Sequence, residues 1–458
     1  MNILLTSLLS IALLTASLPS AAQNNVAAAE QPASAAPENA RLWPEALSLH
    51  GQATWIRQHK EGFRATYDGP KSLGSSKEWA YSFTTTLYAG LKLPNDWEIY
   101  WNPEASEGRT MSNLQGLGGF ANGESQRTAG NSLTWYRARL FTRKTWNLNQ
   151  DFNTVDDSAN QVKTRYASER VVLTVGNMSV LDIFDAMPYS RDPRTQYSNW
   201  ASVTYGAFDF PADARGYTAG AALEYIHPDW SVRIGRFAMP KESNGLPLNY
   251  QLGKLYGDVI EFEKPYRLAG QPGTVRLLGF HNRVIAGSFQ DAINNTNGNN
   301  LPNSAPDLTT QRKVQDKLGI GISANQQITP DLGVFVRAAQ SDGKTETYAF
   351  TEIDRSLALG TVLKGSAWKR ADDEIGLALY RHELSTSHRQ YLSQGGQGFF
   401  LGDGRLSYRP EQISEIYYRL QLHDALGLSI NWQRIANPGY NADRGPVNVL
   451  SFRVHAEF

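Results

Sequence analysis

Along most of this chain every second side chain is apolar, and the residues between are polar or small. A period of two is the mark of a β-strand whose two faces meet different surroundings. The end of the chain shows it most plainly, where Leu450, Phe452, Val454, Ala456 and Phe458 alternate with Ser451, Arg453, His455 and Glu457. The same pattern sets Ile416, Tyr418, Leu420 and Leu422 against Glu415, Tyr417, Arg419 and Gln421, and Leu428, Ile430 and Trp432 against Ser429, Asn431 and Gln433. Strands buried on both faces would be apolar throughout, so a buried parallel sheet is excluded.

This periodicity predicts strands over 47–56, 79–91, 96–104, 133–146, 170–177, 217–227, 229–237 and 257–263. The second half adds 273–284, 316–326, 331–341, 355–365, 373–383, 413–424, 425–435 and 447–458, sixteen in all. Short links at 92–95, 227–229, 327–330 and 423–425, with moderate ones at 264–272 and 366–372, alternate with long polar ones. The long ones are 57–78, 105–132, 178–216, 238–256, 285–315, 342–354, 384–412 and 436–446. Short turns at one end and long loops at the other are how an outer-membrane barrel is built, with the turns periplasmic. The link 147–169 falls on the short side yet is long, which predicts a further hairpin or an insertion there.

The fold class expected is therefore all-β: a transmembrane antiparallel up-and-down β-barrel of about 16 strands. A large soluble sandwich or propeller also alternates, but it would carry Lys and Glu on its outer face. Here the apolar face keeps its character and the charges lie opposite, as lipid requires. Trp55, Trp79, Trp97, Trp101, Trp230 and Trp432 fall near strand ends, where interfacial girdles belong.

Composition adds the compartment. Residues 1–22 read as a signal peptide, with an apolar run from Ile3 to Leu18 and small residues Ser20, Ala21 and Ala22 for cleavage after Ala22. No Lys or Arg precedes the run, which departs from the usual pattern. Residues 23–42 form an Ala/Pro/Glu/Asn tract without periodicity, expected to be a flexible periplasmic leader, and 43–458 form the barrel domain. The location expected is the outer membrane of a Gram-negative bacterium. With 44 basic and 44 acidic residues the net charge is zero, which argues against a nucleic-acid partner. The absence of cysteine removes disulfides and thiolate sites.

Several stretches narrow the function. Ser48-Leu49-His50-Gly51-Gln52-Ala53-Thr54, Tyr67-Asp68-Gly69-Pro70-Lys71-Ser72-Leu73 and Trp101-Asn102-Pro103-Glu104 resemble the carbohydrate-selective porins of Gram-negative bacteria, the OprB type. So do Gly116 to Glu124, Tyr136-Arg137-Ala138-Arg139-Leu140-Phe141, Asp213-Ala214-Arg215-Gly216-Tyr217 and Asn437 to Val447. The resemblance implies a sixteen-stranded barrel for passive, sugar-preferring diffusion, and arginines at the narrowing, here Arg137 and Arg139.

Two regions are candidates for that narrowing. Within 133–146, strict alternation puts Trp135, Arg137, Arg139, Phe141 and Arg143 on one face, and three arginines cannot face lipid, so the face is expected to line the lumen. Arginine offers a fork of donors to paired hydroxyls and an aromatic ring a flat face to a pyranose. The plainer alternative is that these arginines pair with lumenal carboxylates such as Glu98 and Glu104. The second candidate is the loop 178–216, with Asp182, Asp185, Tyr189, Arg191, Asp192, Arg194, Trp200, Asp213 and Arg215, which either folds into the pore or stands as a cap outside it. Arg233, Glu261, Arg337, Tyr380, His382, Arg419 and Arg453 are expected to be ordinary lumen wall.

No cofactor or metal is expected, and enzyme motifs are lacking: there is no Gly-x-Ser-x-Gly, His-Glu-x-x-His or Walker loop. Asp182 and Asp185 are weak grounds for a glycosidase. The expected partners are small sugars such as glucose, outer-membrane lipid and lipopolysaccharide, and barrel-assembly machinery reading the last strand up to Phe458. A homotrimer is one assembly compatible with this. An adhesion or polysaccharide-binding barrel without a useful pore, and a general or anion-preferring porin, remain alternatives.

Overall fold

Sixteen strands pair antiparallel and in chain order, and the last closes on the first, in a computed structural model that describes residues 46–125, 130–298 and 304–458. The stretches read as signal peptide and leader lie outside the described residues. The strands are β1 (Leu47–Lys60), β2 (Glu78–Leu93), β3 (Trp97–Arg109), β4 (Thr134–Asn147), β5 (Arg170–Met178), β6 (Thr218–His227), β7 (Trp230–Phe237) and β8 (Tyr256–Leu268). They continue as β9 (Gln271–Ala286), β10 (Lys313–Gln327), β11 (Leu332–Ser341), β12 (Arg355–Gly365), β13 (Arg370–Glu383), β14 (Glu411–His423), β15 (Leu426–Ala436) and β16 (Val447–Glu457). Closure runs from Gln52 opposite Glu457 to Lys60 opposite Val449. In a bilayer no water can satisfy an open edge, so closure is what makes this sheet viable there.

The two faces follow the alternation. On β16 Leu450 and Phe452 are exposed on the outer wall, while Val449, Ser451 and Arg453 are buried inside. Ile430 and Trp432 of β15 likewise face out against buried Ser429, Asn431 and Gln433. The outward row is less uniform than the sequence suggests. Near the long-loop end it carries paired charges, Arg236 on Asp258 at 2.7 Å and Arg283 on Asp316 at 2.9 Å, above the apolar band where a lone charge would cost most.

The register shifts at the strand ends near Lys364 and Gln421, but in β4 the alternation breaks in mid-strand. Asn102 pairs with Arg139 but the next residue, Pro103, pairs with Arg137, so β4 carries an extra residue, Ala138, at a bulge. Pro103 has no N–H to give to a ladder, and in a strand paired on both sides proline is tolerated at such an irregularity. The bulge reverses the parity of β4. Below it Arg139, Phe141 and Arg143 face the interior, as expected; above it Tyr136 faces inward and Trp135 and Arg137 are exposed on the outer wall. Trp135 and Arg137 therefore do not share a face with Arg139, because the strict count across 133–146 passed over this insertion.

Of the links at the short-turn end, six span two to four residues, and the seventh, 148–169, holds a hairpin of its own, Phe152–Val155 against Thr164–Ala167. At the opposite end the long loops turn into the barrel. The longest, 179–217, packs against the inner wall of many strands. Two short helices in other long loops, α1 (Phe289–Gly298) and α2 (Thr386–Ser393), pack on each other, where Phe289 stacks on His388 with ring centroids 4.1 Å apart.

The assignment of faces predicts that Leu377→Arg, at the middle of β13 and 46% exposed, destabilises the barrel by about 2–4 kcal/mol in lipid vesicles. Arg137→Leu should be close to neutral in the same denaturant titration.

Candidate functional site

A loop driven into a barrel carries its backbone away from water, and each of its N–H groups then needs an acceptor. Buried carboxylates on the wall and in neighbouring loops supply them. Glu415 of β14 accepts from the N–H of Ser198 at 2.5 Å and of Asn199 at 3.3 Å. Glu411, four residues earlier on β14, accepts from Gly118, Gly119 and Gly439 at 2.8–3.3 Å, and Glu261 of β8 from Asp185 at 2.8 Å. Within the loops, Asp209 takes the N–H groups of Tyr348, Ala349 and Phe350, and Glu352 those of Phe399, Phe400 and Leu401.

Ion pairs and tyrosines complete the anchoring of the 179–217 loop. Asp185 meets Arg337 of β11 at 2.9 Å, both essentially sealed from solvent, and Arg453 of β16 donates to the carbonyls of Pro193 and Gln196. The Tyr197 hydroxyl donates to the carbonyls of Thr361 and Leu377, and Tyr205 reaches Ser323. Lys317 of β10 meets Asp209 at 2.9 Å. Glu261, Arg337 and Arg453, expected to be plain lumen wall, are thus the posts to which the loop is tied.

The predicted site residues separate into two groups. Arg194 is buried between Glu104 at 2.9 Å and Glu124 at 2.8 Å, and Asp185 is spent on Arg337, so both hold the loop. Trp200, expected to offer a ring to a sugar, is 6% exposed. It packs among Phe120, Phe350 and Phe400, at centroid distances of 4.8–5.5 Å, and knots four loops together.

What stays partly open to the lumen is a strip of Arg139 and Tyr136 on β4, with Asp182 and Arg215 at the two ends of the loop, set against the buried ring of Tyr217. Arg139 holds Asp182 with two parallel hydrogen bonds of 2.7 Å, from Nε and Nη2. Its guanidinium lies 5.2 Å from the Tyr217 ring, and Arg215 lies 4.2 Å from that of Tyr136. Both tyrosine hydroxyls donate to Glu104, Tyr217 at 2.9 Å. Arg191 donates to the carbonyl of Leu181. Lower on the same face Phe141 stacks on Tyr100 at 4.9 Å, and Arg143 meets Glu98 at 3.2 Å. Of the β4 arginines expected to pair with Glu98 and Glu104, Arg143 meets Glu98, whereas Arg139 takes Asp182 and Glu104 is met by Arg194 of the loop. Tyr136 and Tyr217 were missed, although both lie in stretches that carry the family resemblance.

Chemically this strip is a row of fixed hydroxyl-binding groups between flat rings. Arg139 uses two of its five donors on Asp182 and keeps the others. Burial opposes ionisation of Asp182, but the adjoining Arg139 overcomes it and holds the carboxyl below its ordinary value of 3.8. A carboxylate with a lowered pKa keeps its pair above that ordinary value and loses it only as pH falls beneath it. Conductance should therefore be flat from neutral pH down to about pH 5, as far as this pair governs it, which bilayer recordings across that range would check. Breaking the sealed Asp185–Arg337 pair with Arg337→Met should cost about 3–5 kcal/mol, and the double variant with Asp185→Leu should recover much of it in the same unfolding measurement.

Comparison with known proteins agrees with this fold. No curated protein sequence matches the chain. Among solved structures it is similar to Pseudomonas putida OprB at high pH, with a TM-score of 0.66 at 18% identity over 90% of this chain and 94% of that one. The low-pH structure of the same protein gives 0.49 at 14% identity over 90% and 93%. The family model "Carbohydrate-selective porin, OprB family" matches residues 71–458, so the chain belongs to the carbohydrate-selective porins.

Proposed function

We propose that the chain lies in the outer membrane of a Gram-negative bacterium, after removal of residues 1–22, and lets small sugars such as glucose diffuse passively into the periplasm. The observation that carries the choice of path is the partly exposed set of Arg139, Asp182 and Tyr136 against the Tyr217 ring, at the ends of a loop whose middle is tied to the far wall. Paired charges and tyrosine hydroxyls exchange hydrogen bonds with a sugar as it sheds water, and the rings accept its C–H face. Because Arg139 and Asp182 neutralise each other, the strip favours hydroxyls over net charge. Arg143 continues it toward the periplasm, over the buried Phe141 and Glu98. The outer wall meets outer-membrane lipid and lipopolysaccharide, and the last strand through Phe458 is the part that assembly machinery would read.

Liposome swelling tests this reading. Glucose should enter faster than amino acids of equal size, and equal rates would refute the sugar preference. Arg139→Ala should change the glucose rate several-fold, whereas Arg137→Ala, on the outer wall, should leave it unchanged.

A further inference from the structure

The 148–169 hairpin does not hang free below the barrel. Val162 near its tip is fully buried, and its N–H donates to the Tyr100 hydroxyl at 3.1 Å. The hydroxyls of Tyr166 and Tyr100 converge on Glu98, at 2.5 and 2.8 Å. Arg143 binds the same carboxylate and reaches the Asn160 carbonyl at 3.4 Å and the Gln161 side chain at 3.5 Å. Further round the wall Asp157 stands 3.4 Å from His50 of β1. Space for the tip comes from Gly90 of β2, where a Cβ would lie 2.8 Å from Tyr100 and 3.0 Å from Val162.

These partners are the inward residues of β1 to β4, so the tip lies across the inside of a quarter of the wall at the short-turn mouth. It also lies below Arg139 on the strand whose upper half faces the 179–217 loop. We propose that this hairpin forms a second narrowing, in series with the first, which screens solutes by size where they leave the barrel. β4 serves both: Arg139 grips the loop from one end and Arg143 the hairpin from the other. A turn that merely joined β4 to β5 would need two to four residues, as the six other short links do. The inference rests on the porin reading above.

The full-length chain, reconstituted in planar bilayers and in liposomes, provides the test. In one variant residues 149–168 are replaced by an Asn-Gly turn. In the other, Ala159→Cys places the chain's lone thiol at the exposed tip, for reaction with a bulky charged methanethiosulfonate. The replacement should raise single-channel conductance and admit trisaccharides that the parent holds back, and thiol modification should remove most of the conductance of the cysteine variant. Unchanged conductance and size dependence in a folded replacement, or modification without effect, overturns the inference. If the replacement does not fold, the cysteine variant alone decides. A parent chain that conducts nothing fails the porin reading itself, which is a different result from a conducting parent with indifferent variants.

Discussion

A backbone N–H taken out of water must find an acceptor, and the interior of this protein is organised around that demand. On the membrane side the demand closes the sheet, since an open edge would leave a row of groups unpaired in lipid. On the inner side it decides where loops can go. The 179–217 loop crosses the lumen because Glu261 and Glu415 stand on the wall to receive its N–H groups, and Glu411, Asp209 and Glu352 do the same for the loops around it. A carboxylate offers several lone pairs to such groups, so one side chain can fix two or three successive residues. Buried acids that elsewhere would be a liability here are the attachment points.

The site follows by subtraction. Arg194, Asp185, Arg337 and Arg453 are used up in anchoring, and Trp200 is sealed in an aromatic knot with Phe120, Phe350 and Phe400. What is left facing the lumen is Arg139 and Arg143 of β4 below the Ala138 bulge and Tyr136 above it, with the Tyr217 ring buried against them. The bulge sets this geometry: were β4 strictly alternating from Trp135 to Arg143, Arg137 would share the face of Arg139 and Arg143, and Tyr136 would turn away from Glu104.

The strands were readable because lipid on one side and water on the other impose a period of two, and sixteen of them with alternating link lengths leave little choice of architecture. The long link at 147–169 was readable as an anomaly and proved to hold a hairpin. Arg137 was misplaced because a single inserted residue leaves no mark in an alternation count; the one clue was Pro103, a proline in a strand that must pair on both sides. The loop's direction was not legible for a different reason. Ser198 and Glu415 are 217 positions apart, and Asp185 and Arg337 are 152 apart. No local pattern announces that an acid on one strand serves a loop so distant in the chain, so Glu261, Arg337 and Arg453 read as plain lining.

The central claim is that sugar travels along the β4 strip and occupies it on the way. The most direct measurement is the single-channel ion current through the reconstituted chain while glucose is titrated on one side. A sugar held at Arg139 and Asp182 must obstruct ions in the same passage, so the current should fall in a saturable, dose-dependent manner with glucose and not with a zwitterionic amino acid of equal size. Current steps indifferent to glucose, or blocked equally by both solutes, would contradict it.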